Sequence, residues 1–404
     1  LLPIGILLTL LGCGRIHFDP GATDADGGSD ARADADGGLP PRTPTISLTA
    51  GGDHGCVLAA GDVFCWGANA EGQLGDGTTE NSGTPIRVVG LAAASVTQVS
   101  AGHSHTCAVS AGDAYCWGSG LSGELGDGAE RTSSSPVMVV GLPAGRVTRV
   151  DAGRHFSCAV ADGQAFCWGD NSSGRLGIGS DAPNATTATR IADWDGGVSY
   201  VFAGGDHAVA IVDGAVFTWG HDDSGALGAG ADLGESSVPV AVAGLDAGAT
   251  RASMGGFTGC ALVSGAVWCW GTGGVGELGN GETSSSNTPV MVSGMESGVT
   301  HMEVSGGPID GDAACAVRAG ALHCWGNGGL GRLGNGSMNP SATPLEVAGL
   351  PAPAYASAGG FAHTCAVLEN DAVFCWGAGS AGQLGNGEAA DSFTPVQVAP
   401  VWVP

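Results

Sequence analysis

Residues 96–142 read VTQVSAGHSHTCAVSAGDAYCWGSGLSGELGDGAERTSSSPVMVVGL, and this stretch decides the fold. Val96–Ser100, with β-branched Val96, Thr97 and Val99 in five residues, reads as a strand. Thr106–Ser110 and Ala114–Trp117 flank Ala111-Gly112, a two-residue hairpin connection. A Gly- and Ser-rich loop follows, and Pro136–Val140 opens a fourth strand. Proline at a strand start suits an outer edge, where one missing N–H donor is tolerated. No helical period interrupts the pattern.

The same unit recurs along the chain. Trp-Gly pairs stand at Trp66, Trp117, Trp168, Trp219, Trp270, Trp325 and Trp376, at intervals of 51, 51, 51, 51, 55 and 51 residues. Eight residues after each Trp comes a Leu-Gly, at Leu74, Leu125, Leu176, Leu227, Leu278, Leu333 and Leu384. The repeats fill residues 46–404, leaving no room there for a second domain. A period near 50 residues belongs to solenoids or propellers. Four short antiparallel strands per repeat, in seven copies, predict an all-β, seven-bladed β-propeller, whose closed ring needs no end caps. The ring is expected to close by pairing strand 395–399 with the N-terminal strand near Ile46–Thr49. The repeated Trp reads as a wedge between blades. Leu-Gly-Asp-Gly or Leu-Gly-Asn-Gly, as at Leu74–Gly77 and Leu333–Gly336, reads as a tight turn needing positive φ.

The pattern AGxxHTCAV…CWGxxxxGxLGxG…TPVxV resembles the repeat of the regulator of chromosome condensation family, over about 359 residues. That resemblance implies a seven-bladed propeller. It also implies two kinds of activity: nucleotide exchange on a small GTPase with nucleosome binding, as in the founding nuclear member, and inhibition of β-lactamases, as in related secreted bacterial propellers.

Composition narrows the choice. Thirteen Arg and no Lys stand against 39 acidic residues, a formal charge of −26. Phosphate neutralisation needs a basic face, so nucleic acid is excluded as a partner. The 75 glycines would break a long coiled coil. No apolar run reaches the roughly 20 residues of a membrane-spanning helix.

Twelve cysteines fall in pairs within repeats: Cys56 with Cys65, Cys107 with Cys116, Cys158 with Cys167, Cys260 with Cys269, Cys315 with Cys324 and Cys365 with Cys375. Repeat four lacks both members and has Val209 and Thr218 instead. Joint absence is what a covalent pair predicts. With a two-residue turn at Ala60-Gly61, Cys56 faces Cys65 at a non-hydrogen-bonded position, where Cα atoms are closer. Free thiols and zinc are the competing readings, but no C-x₂-C occurs and each blade offers one pair. Six intrablade disulfides are expected, and these require an oxidising compartment.

The first 45 residues carry an address. Residues 1–12, LLPIGILLTLLG, form an apolar stretch of signal-peptide length. With no Met and no basic residue ahead of it, this is expected to be a signal peptide lacking its start. Leu10-Leu11-Gly12-Cys13 resembles the lipobox of bacterial lipoproteins, which implies acylation of Cys13 and anchoring through its lipid. Gly14, rather than Asp, follows, favouring the outer membrane or cell surface of the envelope. Residues 13–45 are otherwise Gly-, Ala- and Asp-rich and read as a disordered tether, since they cannot bury enough surface to offset ordering entropy.

Candidate chemistry is thin. His54, His105, His207 and His363 stand two residues before the first cysteine position of their repeats. A metal needs all its ligands about 2 Å away, whereas these lie 51 or more residues apart around a ring. They are read as blade-packing residues bonded to a neighbouring blade's backbone. No phosphate loop, G-x-S-x-G or H-E-x-x-H appears, so no catalytic residue, metal or cofactor is assigned. Departures from the repeat are where specificity would be written. Repeat six carries about four extra residues in 306–312, with Pro308, Ile309, Asp310 and Asp312. Repeat three has Asp193, Trp194 and Asp195 in a loop, and repeat seven has the longer turn 369–371 with Asn370. These are the candidate binding loops. The expected function is a non-catalytic extracytoplasmic binding protein using a propeller face. Its partner is a protein, a neutral glycan or a basic surface. The alternative is a secreted inhibitor or enzyme-binding propeller like the β-lactamase inhibitors. A more distant one is a guanine-nucleotide exchange factor, for which no insertion is long enough to reach a nucleotide site.

Overall fold

The computed structural model describes residues 45–180, 182–191, 194, 196–307 and 311–400. The predicted signal peptide and lipobox, with Cys13 and nearly all of the tether, lie outside them. So do Asp193, Asp195, Pro308, Ile309 and Asp310.

Seven four-stranded antiparallel sheets form a propeller, each sheet built from four strands consecutive in sequence. In blade 1 these are Ile46–Ala50, His54–Ala59, Asp62–Gly67 and Ser82–Arg87, from the channel outward. The second and third strands join through Ala60-Gly61, both at positive φ (50° and 81°), which matches the twist of the strands it links. Loops between first and second strands, and the long loops between third and fourth, share one face. Hairpin turns and blade-to-blade connections share the other.

Each blade seam holds its own apolar cluster, seven in all among the described residues, and each contains the Trp of one blade. The seven Trp side chains are fully buried. Each indole Nε1 donates to the carbonyl of the residue preceding Leu-Gly in the blade before, as Trp117 does to Gln73 at 2.9 Å and Trp325 to Glu277 at 2.9 Å. Leu-Gly needs its glycine for the same reason. A Cβ on Gly75 would lie 2.5 Å from Nε1 of Trp117, and the residue has φ +69°. Burying one indole stabilises by roughly 4–6 kcal/mol at ~25 cal/mol per Å².

Ring closure departs from the sequence expectation. Ser392–Gln397 pairs only within blade 7, and Ile46–Ala50 only within blade 1. The seam closes instead like the other six: Trp66 packs with Cys365, Cys375 and Leu384, and donates to the Gln383 carbonyl at 2.9 Å. Each blade completes its four-stranded sheet from its own consecutive strands, so closure needs no strand shared between the chain's ends.

The cysteines join the second and third strands of six blades. Cys56 is bonded to Cys65 in blade 1, Cys107 to Cys116 in blade 2 and Cys158 to Cys167 in blade 3. Cys260 is bonded to Cys269 in blade 5, Cys315 to Cys324 in blade 6 and Cys365 to Cys375 in blade 7. Cα–Cα separations are 4.0–4.1 Å, the close approach that directly opposed residues of an antiparallel pair allow. The extra residue between Cys365 and Cys375 is taken up in the turn after Leu368, where Asp371 adopts positive φ (65°). In blade 4, Val209 and Thr218 face each other at the same register position.

Candidate functional site

The seven inner strands converge on a central channel, each presenting an unpaired sheet edge. Buried backbone groups must find partners, and side chains of the neighbouring blade supply them. Ala101 N–H donates to Thr49 Oγ1 (3.0 Å), Ala152 N–H to Ser100 Oγ (3.1 Å), Ala203 N–H to Asp151 Oδ1 (3.0 Å) and Val304 N–H to Ser253 Oγ (2.9 Å). One rung away, Gln98, Arg149, Arg251 and His301 bond backbone groups of the next blade. The channel encloses a cavity of about 150 Å³ lined by these two rungs.

Burial decides the charge states there. It pushes the Asp151 carboxyl up to about 6, against the pull of Arg149 and Arg251, and that of Glu303 up to about 8. It holds His301 well below its ordinary value. The Arg149 guanidinium lies 3.9 Å over the Tyr200 ring.

The disulfides stand apart from this channel. Cys107, Cys116, Cys158, Cys167, Cys260, Cys269, Cys315 and Cys324 are buried in the seams between blades, as are the cysteines of blades 1 and 7. They brace the blades and present no thiol to a ligand.

The repeated histidines are packing residues, but their partners are not the expected backbone. His54 shares a hydrogen bond with the hydroxyl of Thr106 (2.9 Å), and His105 with that of Ser157 (2.8 Å). That hydroxyl belongs to the residue before the first cysteine of the next blade. For His207 and His363 the corresponding residues are Gly259 and Gly55. Both ring nitrogens of these two histidines have no partner among the described residues. Burial lowers His54 and His105 to about 3 and His207 and His363 to about 4. Among the described residues, no three His, Cys, Asp or Glu side chains converge as a metal site.

The three candidate loops do not share a face. Gly306, Gly307, Gly311 and Asp312 belong to the face of the first-to-second-strand loops. There the insertion lengthens the inner hairpin of blade 6, Val299–Gly307 with Gly311–Arg318, by the pairs Gly306↔Asp312 and Gly307↔Gly311. Asp312 is buried, and its two oxygens accept the amides of Gly256 (2.7 Å) and Phe257 (2.8 Å) of blade 5. Trp194 and Asn370 lie on the opposite face. Trp194 is half-buried, edge-on to Phe217 (5.5 Å) and Trp219 (5.9 Å). Asn370 is exposed, and the neighbouring Asp371 accepts Thr45 N–H at 2.6 Å, fixing the start of blade 1.

Sequence reasoning missed a second feature beside the blade 6 hairpin. Five residues after each repeated Trp stand Glu71, Ser122, Ser173, Ser224, Val275, Leu330 and Ala381. Only adjacent blades 5 and 6 place large apolar side chains there, exposed at 38% for Val275 and 40% for Leu330. Leu330 sits in the left-handed region (φ 57°), as Ser173 and Ser224 do. Blade alignment at this position was the signal. The hairpin rises between these loops: Arg332 Nη1 donates to the Gly311 carbonyl at 3.2 Å. Met338, on the same long loop as Leu330, is 56% exposed.

A seven-bladed ring of Trp-Gly/Leu-Gly repeats defines a β-propeller of repeated blades. The chain belongs to the RCC1 family: residues 21–309 match the RCC1-like domain, and 319–367 and 370–401 match the regulator of chromosome condensation (RCC1) repeat. It is similar to the ultraviolet-B receptor UVR8 of Arabidopsis thaliana, 31% identical over 367 residues, covering 88% of this chain and 82% of that one. The human E3 ubiquitin-protein ligase HERC2 is 29% identical over 354 residues, which are 84% of this chain and 7% of that protein. The structure of Prp20p from Saccharomyces cerevisiae, described with its binding properties to Gsp1p and histones, shares the fold at a TM-score of 0.72 and 19% identity. The match covers 84% of this chain and 86% of that one.

Proposed function

We propose that this chain is a non-catalytic interaction protein acting outside the cytoplasm. In this reading a protein partner docks on the blade 5–6 sector of the face that carries the long loops. The observation that carries it is the break in symmetry there: a lengthened hairpin flanked by Val275 and Leu330, where the other blades have Ser, Glu or Ala. An exposed leucine in left-handed backbone gains nothing for folding, since a serine suffices at Ser173 and Ser224. The charge of −26 adds a preference for a basic rim around the partner's apolar contact. Six disulfides support an oxidising compartment, and the lipobox-like Leu10–Cys13 supports attachment to the cell envelope through a lipid on Cys13.

The test places a photo-crosslinking residue at 330 and, in a second protein, at 138 on the outer strand of blade 2. Cross-linking is followed in the compartment where the protein resides. Adducts from 330 and none from 138 are expected, and adding Val275→Ser to the protein that carries the cross-linking residue at 330 should weaken them at least fivefold without changing the melting temperature. Equal adducts from both positions would overturn the docking face. Cys13→Ala should release the protein from the membrane fraction; a variant still bound there would overturn the lipid anchor alone.

A further inference from the structure

The channel's two rungs follow a bonding rule, and the residues that depart from it point to a ligand. Thr49, Ser100, Asp151 and Ser253 each accept an amide of the next blade. Glu303 occupies the same rung in blade 6, yet its buried Oε1 has no partner among the described residues. The buried hydroxyls of Tyr200 and Ser357, 8% and 4% exposed, likewise have none. Arg251 uses only Nε, donating to the Met302 carbonyl at 2.7 Å, which leaves its two terminal nitrogens without an acceptor among the described residues. Arg251 and Glu303 sense each other's charge but form no ion pair, although both line the same 150 Å³ cavity. The residues that carry this guanidinium, this carboxyl and these two hydroxyls all line one cavity of about 150 Å³.

We infer that the central channel binds a small organic monocarboxylate, whose oxygens take hydrogen bonds from the Arg251 guanidinium and the Glu303 carboxyl group. The charges around Glu303 fix the sign of the ligand. Arg149 on the inner strand of blade 3 is balanced by Asp151, whose oxygen lies 3.5 Å from it, once Asp151 ionises above about pH 6. His301, on Glu303's own strand, is neutral. Tyr200 of blade 4 is uncharged. That leaves Arg251 as the unbalanced charge while Glu303 holds its proton, a state that burial favours up to about pH 8. One net positive charge takes a monoanion, and the cavity's size limits it to a few carbons. Above that pH, Glu303 becomes a second anion beside the first and turns from donor to acceptor, so binding weakens. This site lies inside the ring and is independent of the docking face.

Acetate is the probe, with acetamide as its neutral counterpart, measured on the full chain by equilibrium dialysis and ligand-detected NMR. Saturable acetate binding is expected at pH 6.5, with acetamide at least tenfold weaker and acetate about thirtyfold weaker at pH 9.5. Arg251→Met should weaken acetate at least tenfold, and Glu303→Gln should remove the pH dependence. No saturable acetate binding up to 100 mM, acetamide binding as well as acetate, or an Arg251→Met protein that binds acetate normally would each overturn the proposal. Should Arg251→Met fail to fold, the acetate–acetamide comparison and the pH profile of the unmodified protein decide the matter.

Discussion

Blade 4 is a natural deletion of the disulfide, so restoring it measures what the other six contribute. Val209 and Thr218 are fully buried and directly opposed, at the position where six neighbouring blades carry Cys pairs 4.0–4.1 Å apart at Cα. The perturbation is Val209→Cys with Thr218→Cys. A bridge closing a loop of about ten residues removes about 2.7 kcal/mol of unfolded-state entropy at 25 °C. Against this stand two losses. Thr218 Oγ1 donates to the Leu227 carbonyl at 2.6 Å, a bond worth about 1 kcal/mol. Val209 loses about one buried methylene, about 0.8 kcal/mol. Each single variant should therefore be destabilised by about 1 kcal/mol, and the oxidised double variant stabilised by about 1 kcal/mol, a coupling near 2.7 kcal/mol. At ~2.1 cal/mol/K per residue over roughly 350 residues, 1 kcal/mol shifts the melting temperature by between 1 and 2 °C. Thiol titration after denaturation reports whether the bridge forms, and calorimetry of the four proteins gives the coupling. A double variant that keeps two free thiols, or that forms the bridge and still melts at or below the single variants, would refute the reasoning.

Acid sensitivity should be traceable to single histidines. The folded pKa of His207, about 4, lies below the ordinary 6.5, so its stabilising contribution is present above pH 6.5 and lost as pH falls toward 4. Replacing His207 with Phe, the residue blade 3 carries at Phe156, should raise stability relative to wild type by about 2 kcal/mol more at pH 5 than at pH 7; urea melts at the two pH values read this, and a constant difference argues against the buried neutral ring. Trp325→Phe keeps most of the packing but leaves the Glu277 carbonyl without its indole donor, and a loss of about 1–3 kcal/mol in denaturant unfolding is expected. Asp312→Asn leaves one acceptor oxygen for the two amides of Gly256 and Phe257. One of these amides should exchange with solvent at least tenfold faster by hydrogen-exchange mass spectrometry or NMR, while amides of blade 2 stay unchanged.

The sequence by itself determined the ring. Trp66 to Trp376, the Leu-Gly that follows each, and the paired cysteines are local, periodic signals, and each blade is built from strands adjacent in sequence. Hairpin register at Ala60-Gly61 alone brings Cys56 opposite Cys65, and the same register sets Cys116 against Cys107 and Cys324 against Cys315. Closure was misread because pairing of the chain ends is a long-range choice that no local pattern encodes. Only the tertiary structure decided which residues meet across blades. His54 finds Thr106, and His363 finds no partner among the described residues, through contacts that require the ring to be assembled. Strand direction placed Gly306 and Asp312 on one face and Trp194 and Asn370 on the other. The channel set of Tyr200, Arg251, Glu303 and Ser357 comes from four different blades, each residue unremarkable in its own strand. Burial and converging strand edges give those side chains their chemistry, and both are properties of the closed propeller rather than of any one repeat.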